Sequence, residues 1–376
     1  MPHKRRGSPG GAQNLVKFAV TTRHITGSAG GSVKRPTIAD IARRAGVSKV
    51  AVSYALNDRP GVSEARRNTI KAIAREIGWQ PNSAARALNG AQACVIGLAV
   101  CRPARILGME PFFMELISGI ETELSAHSYA LLLQVVHSQE QELQVYRRWW
   151  GEGRVDGVIL VDLHFDDPRV PGVEELHLPA VVVGHPSQTA SLAPIWSDDS
   201  AAMRETVEYL AALGHRRIAR VAGLPQLVHT VLRDQAFAAT CDELGLTGHT
   251  IVHTDYTGEQ GAHATRRLVS AANRPTAIVY DNDIMAVAGL SVAQEMQLEV
   301  PTDLSLVAWD DSPLSQVVRP ALTALSRDIP RYGAQAAQSL LALIAGEHVT
   351  GVQAETAKLT PRGSTGVPKE QSASRP

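Results

Sequence analysis

The chemistry most visible in this 376-residue sequence is cationic. Residues 1–90 hold 16 Lys and Arg against 4 Asp and Glu, and residues 91–376 hold 21 against 33, so a head of net +12 offsets a body of net −12. A basic head joined to an acidic body is what a polyanion-binding module fused to another module looks like, although a plain solvated basic face has the same composition. Arg43, Arg44, Arg59, Arg66 and Lys71 are the candidates for phosphate contacts, which position a protein on a duplex without specifying a sequence. Covalent and metal chemistry has little to build on. HExxH, GxSxG, Walker A and GxGxxG motifs are missing, and Gly151-Glu-Gly-Arg-Val-Asp-Gly157 has the wrong spacing and precedes a strand. His249 and His253 stand four apart in a weakly helical, β-branched stretch, a poor metal site. Cys94, Cys101 and Cys241 show no CxxC or zinc spacing and suggest a reducing compartment without disulfides. The acid pair Asp198 and Asp199 reads as helix capping. No catalytic residue, cofactor or metal is expected.

These side chains need elements to hold them. A hydrophobic content of 44% with 20% charged residues is ordinary globular composition, and the length suits two or three domains. No apolar run approaches the ~18–20 residues of a membrane span, and the basic start lacks the apolar stretch of a secretory signal. Residues 1–35 read as a disordered basic tail, one that the native product lacks if translation starts at Val20 or Val33. Order begins at Thr37. Ile38, Ile41, Ala42 and Ala45 recur on one helical face, with Thr37 as cap, Asp40 as a capping-box acid and Gly46 as the stop. Ser48 caps a second helix, about Lys49–Leu56. Ser63 caps a third, with Ile70, Ile73, Ala74 and Ile77 inward and Gly78 closing it. Three short helices with a glycine turn between the first two describe a helix-turn-helix. From Cys94 onward, β-rich runs alternate with amphipathic stretches: Val95–Val100, Ala130–Val136, Gly157–Val161, Ala180–Val183, Ile218–Ala222, Ala277–Tyr280 and Leu304–Ala308, against Phe112–Ser125, Ala201–Leu213, Arg233–Leu244 and Asp283–Gln297. That alternation predicts two doubly wound α/β lobes of parallel sheet with a ligand cleft at the carboxyl ends of the strands.

Thr37-Ile-Ala-Asp-Ile-Ala-Arg-Arg-Ala-Gly-Val-Ser48 followed by Val52-Ser-Tyr-Ala-Leu-Asn57 resembles the headpiece of LacI/GalR (lactose-repressor) family transcription regulators. So does Gly78-Trp-Gln-Pro-Asn82. The resemblance continues through Arg154-Val-Asp-Gly-Val-Ile159, Leu213-Gly-His-Arg-Arg-Ile218, Asn282-Asp283-Ile-Met-Ala286, Val300-Pro-Thr-Asp-Leu-Ser305, Trp309-Asp-Asp311 and Pro320-Ala-Leu-Thr323, and covers about residues 36–362. Each motif is weak alone; their order and spacing make the signal. It implies an α/β protein with a small all-α helix-turn-helix headpiece at 36–80, a hinge helix at 81–91, and at 92–362 a two-lobed periplasmic-binding-protein-like core of doubly wound parallel sheets. The chain is expected to cross between lobes near 190–198 and 322–326, and residues 363–376 are expected to be a disordered tail.

The resemblance also assigns residues. Thr37, Ser48, Lys49, Val50, Ser53, Tyr54 and Asn57 would meet DNA from the headpiece. Asn82, Ala85, Arg86 and Leu88 would meet it from the hinge, with Leu88 as an apolar wedge between base steps of the minor groove. Lys49 can donate to guanine and Val50 can pack on a thymine methyl, while Tyr54 stands where the family most often has Arg and cannot copy its bidentate guanine contact. In the core, Phe113, His185, Arg233, Tyr256, Asn282 and Asp310 would bind a small effector. Arg, Asp, Asn and an aromatic favour a sugar over a purine. The implied partners are double-stranded palindromic operator DNA, a second copy of the chain and a sugar-like effector, with no membrane, in the cytoplasm at the nucleoid. The resemblance implies a repressor. Two alternatives compete: an exported periplasmic-type sugar-binding protein, opposed by the helix-turn-helix, and a nonspecific DNA-binding protein, which leaves the core idle.

Overall fold

Thr37 opens the first helix by donating its backbone N–H (2.9 Å) and its hydroxyl (2.7 Å) to the Asp40 carboxylate. This computed structural model describes residues 36–79, 92–102, 104–246 and 248–369, and the chain divides into two units between residues 81 and 82. The first unit holds α1 (Ile38–Ala45), α2 (Lys49–Leu56) and α3 (Glu64–Glu76). Gly46 takes a left-handed φ of 65°, which lets the chain turn sharply from α1 toward α2. Ser48 Oγ then accepts from Ala51 N at 3.1 Å and starts α2. Ile41, Ala42, Val52, Ala55, Ile70 and Ala74 form the buried centre, with Trp79 packed at its edge.

The second unit contains two six-stranded sheets. The first runs β11-β5-β4-β3-β1-β2 and is parallel throughout, from β1 (Val95–Val100), β2 (Ala130–Val135), β3 (Gly157–Leu160), β4 (Ala180–Val183), β5 (Ala193–Trp196) and β11 (Val352–Gln353). The second runs β12-β10-β9-β8-β6-β7, from β6 (Ile218–Ala222), β7 (Thr250–His253), β8 (Ala277–Tyr280), β9 (Ser305–Trp309), β10 (Thr323–Ser326) and β12 (Lys358–Thr360). Only β12 runs antiparallel to its neighbour. The central strands are buried on both faces because helices cover both, which is why they read as unbroken apolar runs. On the first sheet, helices Pro111–Ala126 and Ile329–Ile344 cover one face, and Gln139–Gly151 and Arg169–Glu175 the other. On the second, Gly258–Val269 and Asp283–Glu295 cover one face, and Asp199–Ala212 and Val228–Glu243 the other.

The chain passes between sheets three times: after Trp196, after Ser326 and between Gln353 and Lys358. The sequence signals only the first two, since β11 and β12 are too short to show a pattern. The expected polar tail from Gly363 needs correction over its first part. Ser364 is buried, its Oγ donating to Leu306 O and accepting from Thr323 N. Thr365 Oγ1 lies 2.8 Å from Tyr209 Oη, and Gly366 O lies 3.1 Å from His215 Nε2. Residues 363–369 therefore lie along the second lobe, held by small polar side chains that an apolar-run criterion ignores. Burial pushes the His215 imidazole down to about 4, so it remains neutral in this seat at physiological pH. Residues 1–35 and 370–376 lie outside the described residues. Among the described residues no helix is long and apolar enough to cross a membrane.

Candidate functional site

The headpiece presents one unusual surface. Val52 and Ala55 bury one side of α2, and its other side leaves Val50 60% and Tyr54 37% exposed, beside exposed Lys49. A small unit with few apolar residues to spend has left two of them in water on one helix face. Ser48 and Thr37 are exposed caps, and Ser53 is half-buried. Asn57 is exposed and donates Nδ2 to Ser53 O at 2.9 Å. Of the basic residues, Arg43 pairs with Asp40 at 2.7 Å, Arg44 with Glu76 at 3.0 Å and Lys71 with Asp58 at 2.7 Å. Exposed pairs of this kind are weak and exchangeable, so a phosphate can compete for these cations. The half-buried Arg67 is different. It spans Asp58 (2.8 Å) and Arg59 O (2.9 Å), and it ties the loop after α2 to α3. Asn82, Ala85, Arg86 and Leu88 lie outside the described residues.

The core holds a cleft of about 90 Å³ between the carboxyl ends of the two sheets. Phe113, His185, Arg233, Tyr256 and Asp310 all line it. Arg233 projects from helix Val228–Glu243 and is buried in a fork of acids. Its Nε donates to Asp199 at 2.8 Å and its Nη1 to Asp281 at 3.0 Å, while its guanidinium lies 3.8 Å over the Trp309 ring. Burial alone would raise Asp281, but Arg220, Arg233 and the Gly223 N–H outweigh it and hold its carboxyl far below the usual range. Asp281 is thus an anion shared by Arg233 and Arg220.

Tyr256 enters from the end of β7 with a left-handed φ of 68°. Its Oη lies 2.8 Å from His229 Nε2 and 3.0 Å from Thr230 Oγ1. The ring needs Gly223 beneath it, since a Cβ there would fall 1.9 Å from Tyr256 Cζ. Burial, then the Arg233 charge, pushes His229 down to about 4 and keeps it a neutral partner. From the other lobe, Arg102 lies 4.6 Å over the Tyr256 ring and 5.6 Å over Phe113, with Nε donating to Asp162 at 2.8 Å. The lobes also touch where Val228 N donates to Leu163 O at 2.9 Å. Asp310, just past β9, receives Arg327 Nη2 at 3.3 Å, and burial raises its carboxyl against the pull of Arg327 and Arg233. His185 is half-buried at the rim, capping a 3-10 turn and packed edge-on to Trp196.

Asn282 lies outside this cleft but lines the smaller chamber beside it. Its Oδ1 accepts from Met285 N at 2.9 Å and its Nδ2 donates to Tyr256 O at 3.0 Å, so both ends of the amide are used in holding Tyr256 to the start of a helix. Conversely, the cleft contains Arg102, Glu110, Asp162, Asp199, His229, Asp281 and Arg327, which the motifs do not single out. A usable signal exists: Arg102, Asp162, Asp281 and Arg327 each stand one or two residues past a strand. Asp198 caps helix Asp199–Ala212 by accepting from Ala201 N at 2.9 Å, whereas its neighbour Asp199 turns to Arg233. His253 bonds Asp234, and among the described residues no group of three or more His, Cys, Asp or Glu is spaced to hold a metal ion.

What the arrangement can do follows from its groups. Arginine forks, carboxylates and aromatic faces can orient a small polar ring. Two family models match the chain: "Bacterial regulatory proteins, lacI family" over residues 37–82 and "Periplasmic binding protein-like domain" over residues 207–365. The transcriptional regulator CelR of Thermobifida fusca is 31% identical over 320 residues, covering 84% of this chain and 93% of that protein. The repressor CytR of Escherichia coli K12 is 31% identical over 339 residues, covering 88% and 96%. The crystal structure of the Lac repressor dimer bound to operator and the anti-inducer ONPF superposes with a TM-score of 0.79 at 26% identity, covering 89% of this chain and all of that one. A CelR–cellobiose complex superposes at 0.67 with 28% identity, covering 88% and all of it.

Proposed function

Since this chain belongs to the lacI family of bacterial regulatory proteins, a family of DNA-binding transcriptional regulators, we propose that it is a repressor that binds a palindromic operator as a homodimer and answers to a sugar-like effector in its cleft. The observation that carries the DNA half is the outward face of α2, where Lys49, Val50 and Tyr54 stand exposed together on a basic headpiece. A helix of that kind fits the major groove. Lys49 donates to guanine O6 or N7, Val50 packs on a thymine methyl, and Tyr54 replaces a guanine-reading fork with a ring and one hydroxyl. Exposed Arg43, Arg44, Arg59 and Arg66 and half-buried Lys71 supply the phosphate contacts that set register. Asn82, Ala85, Arg86 and Leu88 form the hinge contact, and a Leu88→Ala variant that bends and binds operator normally removes the wedge from this account.

The cleft half rests on Arg233, Tyr256 and Asp310 facing one space from different elements, with Arg102 and Phe113 opposite. Asp310 accepts hydroxyl hydrogen bonds, and Tyr256 and Phe113 supply ring faces. CelR forms a complex with cellobiose, which supports a sugar as the class. An effector that prefers one lobe arrangement changes operator affinity, and operator changes effector affinity by the same factor. The protein then acts where the operator lies, in the cytoplasm at the nucleoid.

The test is to retain genomic fragments on the purified full-length protein at near-physiological salt and to sequence them. One recovered palindromic motif is the expected result. Retention of unrelated fragments, lost smoothly as salt rises, overturns the sequence-specific reading.

A further inference from the structure

Beside the cleft lies a smaller chamber of about 10 Å³, room for one group the size of water or ammonium, lined by Glu110, Glu115, Asp283, Asp310, Ser312 and Phe112 among others. No Lys or Arg lines it. Glu110 and Asp310 line both chamber and cleft, so a ligand in the cleft reaches the chamber through them. We infer that the effector carries a protonated nitrogen that enters this carboxyl-lined chamber, making it an amino sugar or an amine-bearing polyol. The inference rests on the cleft being the effector site, as proposed above.

Three observations lead there. Glu110 is only 6% exposed, and its Oε2 has no hydrogen-bond partner among the described residues. A buried acceptor left unmatched in this way costs free energy that a ligand donor recovers. Second, the nearby cations lie in the cleft and are partly engaged there, with Arg102 Nη1 and Arg327 Nε left without a hydrogen-bond partner among the described residues. Arg102 gives its Nε to Asp162 and its face to two aromatic rings, and Arg327 meets Asp310. Asp283 has only the neutral Ser312 hydroxyl as a side-chain donor among the described residues. Third, among the described residues no group of three or more His, Cys, Asp or Glu is spaced to hold a metal ion.

Glu110 is faced by Arg102 from the end of β1, Asp162 from the end of β3, Asp310 from the end of β9 and Asp283 from the start of helix Asp283–Glu295. Burial, only partly offset by Arg102 and reinforced by the three acids, pushes its carboxyl up to about 7. Burial likewise pushes Asp283 up to about 6. A neutral hydroxyl can satisfy the geometry at Glu110 but leaves that repulsion in place. An ammonium satisfies both. Each cleft arginine already has a carboxylate partner, and the unpaired Arg102 Nη1 and Arg327 Nε can donate to hydroxyl oxygens of the same ligand.

The test is calorimetric titration of the full-length protein at pH 7 with glucosamine, glucose and N-acetylglucosamine, and with the open-chain pair glucamine and glucitol. At least one amine is expected to bind on the order of 30-fold more tightly than its neutral counterpart, the scale of a buried charge pair made or lost. Glu110→Gln is expected to bring the two within about twofold while preserving the circular dichroism spectrum. Asp283→Asn provides a second variant with the same expected direction. Equal binding of amine and neutral partner overturns the amine and leaves the sugar-effector reading standing. Binding by none of the five overturns the amine, and cellobiose in the same titration then tests the sugar-effector reading, which falls if it too does not bind. An amine preference untouched by both variants overturns the chamber as its source.

Discussion

The arginines of the headpiece and those of the cleft are the same residue used in two ways. In the headpiece Arg43 and Arg44 stand in water with exposed partners, and Arg59 and Arg66 are exposed too. Their attraction acts through solvent, adds up by number and fades with salt. In the cleft Arg102 and Arg233 are buried and Arg327 is half-buried, each held by a carboxylate and laid against an aromatic ring. Their work depends on fixed geometry, and salt barely reaches them. A headpiece charge can therefore be lost at small cost to folding, while a cleft charge cannot. That contrast suits a surface that must find a polyanion quickly and a pocket that must choose among small molecules.

The contrast can be broken most sharply at Arg233. Replacing it with Met leaves Asp199 and Asp281 buried without their shared cation, and the expected loss of stability is about 3–5 kcal/mol, read from denaturant midpoints. A loss as small as that of a headpiece arginine would erase the distinction. Next comes Glu110. Its carboxyl is raised in the folded protein, so folding favours the protonated form. Effector-free stability should then fall as pH rises from the ordinary glutamate range through about 7, and stay low above it. Glu110→Gln should remove that fall and gain about 3 kcal/mol at pH 8, by thermal or chemical unfolding across pH. Asp199 and Asp281 have the opposite sign. Their folded-state pKa values are lowered, so their contribution is full above the unfolded carboxylate range and is lost only as pH drops through the folded values.

Smaller effects belong to the headpiece. Lys49→Ala or Val50→Ala should cost about 1–3 kcal/mol on the recovered operator and far less on a scrambled duplex, by fluorescence anisotropy at fixed salt. Smallest is Arg44→Ala, expected to change unfolding stability by no more than ~0.5 kcal/mol, yet to lessen the slope of log affinity against log salt by about 0.9 if it meets a phosphate.

Legibility in the sequence followed the same physical divide. Strands buried on both faces, such as Val95–Val100, Ala180–Val183, Ile218–Ala222 and Ala277–Tyr280, are readable to the residue because their apolar runs have abrupt ends. The headpiece helices are readable from Thr37, Gly46 and Ser48, whose backbone roles are local. β5 is hidden by Pro194, β7 by its half-exposed edge position, and β11 and β12 by their length. In the cleft, Arg233, Tyr256 and Asp310 are signalled by motif. Arg102, Glu110, Asp162, Asp281 and Arg327 meet only through tertiary packing of segments up to 225 residues apart. Asn282 is marked by motif too, and it lines the adjoining chamber while its amide holds Tyr256 and a helix start.

The central claim is that this headpiece reads a sequence and does not merely collect phosphates. The most direct measurement is the affinity of the full-length protein for the recovered motif and for a scrambled duplex of equal length, each across a salt series. Two roughly parallel lines, with the motif tighter by about a thousandfold or more, are the predicted result. Lines that coincide at every salt concentration would contradict it.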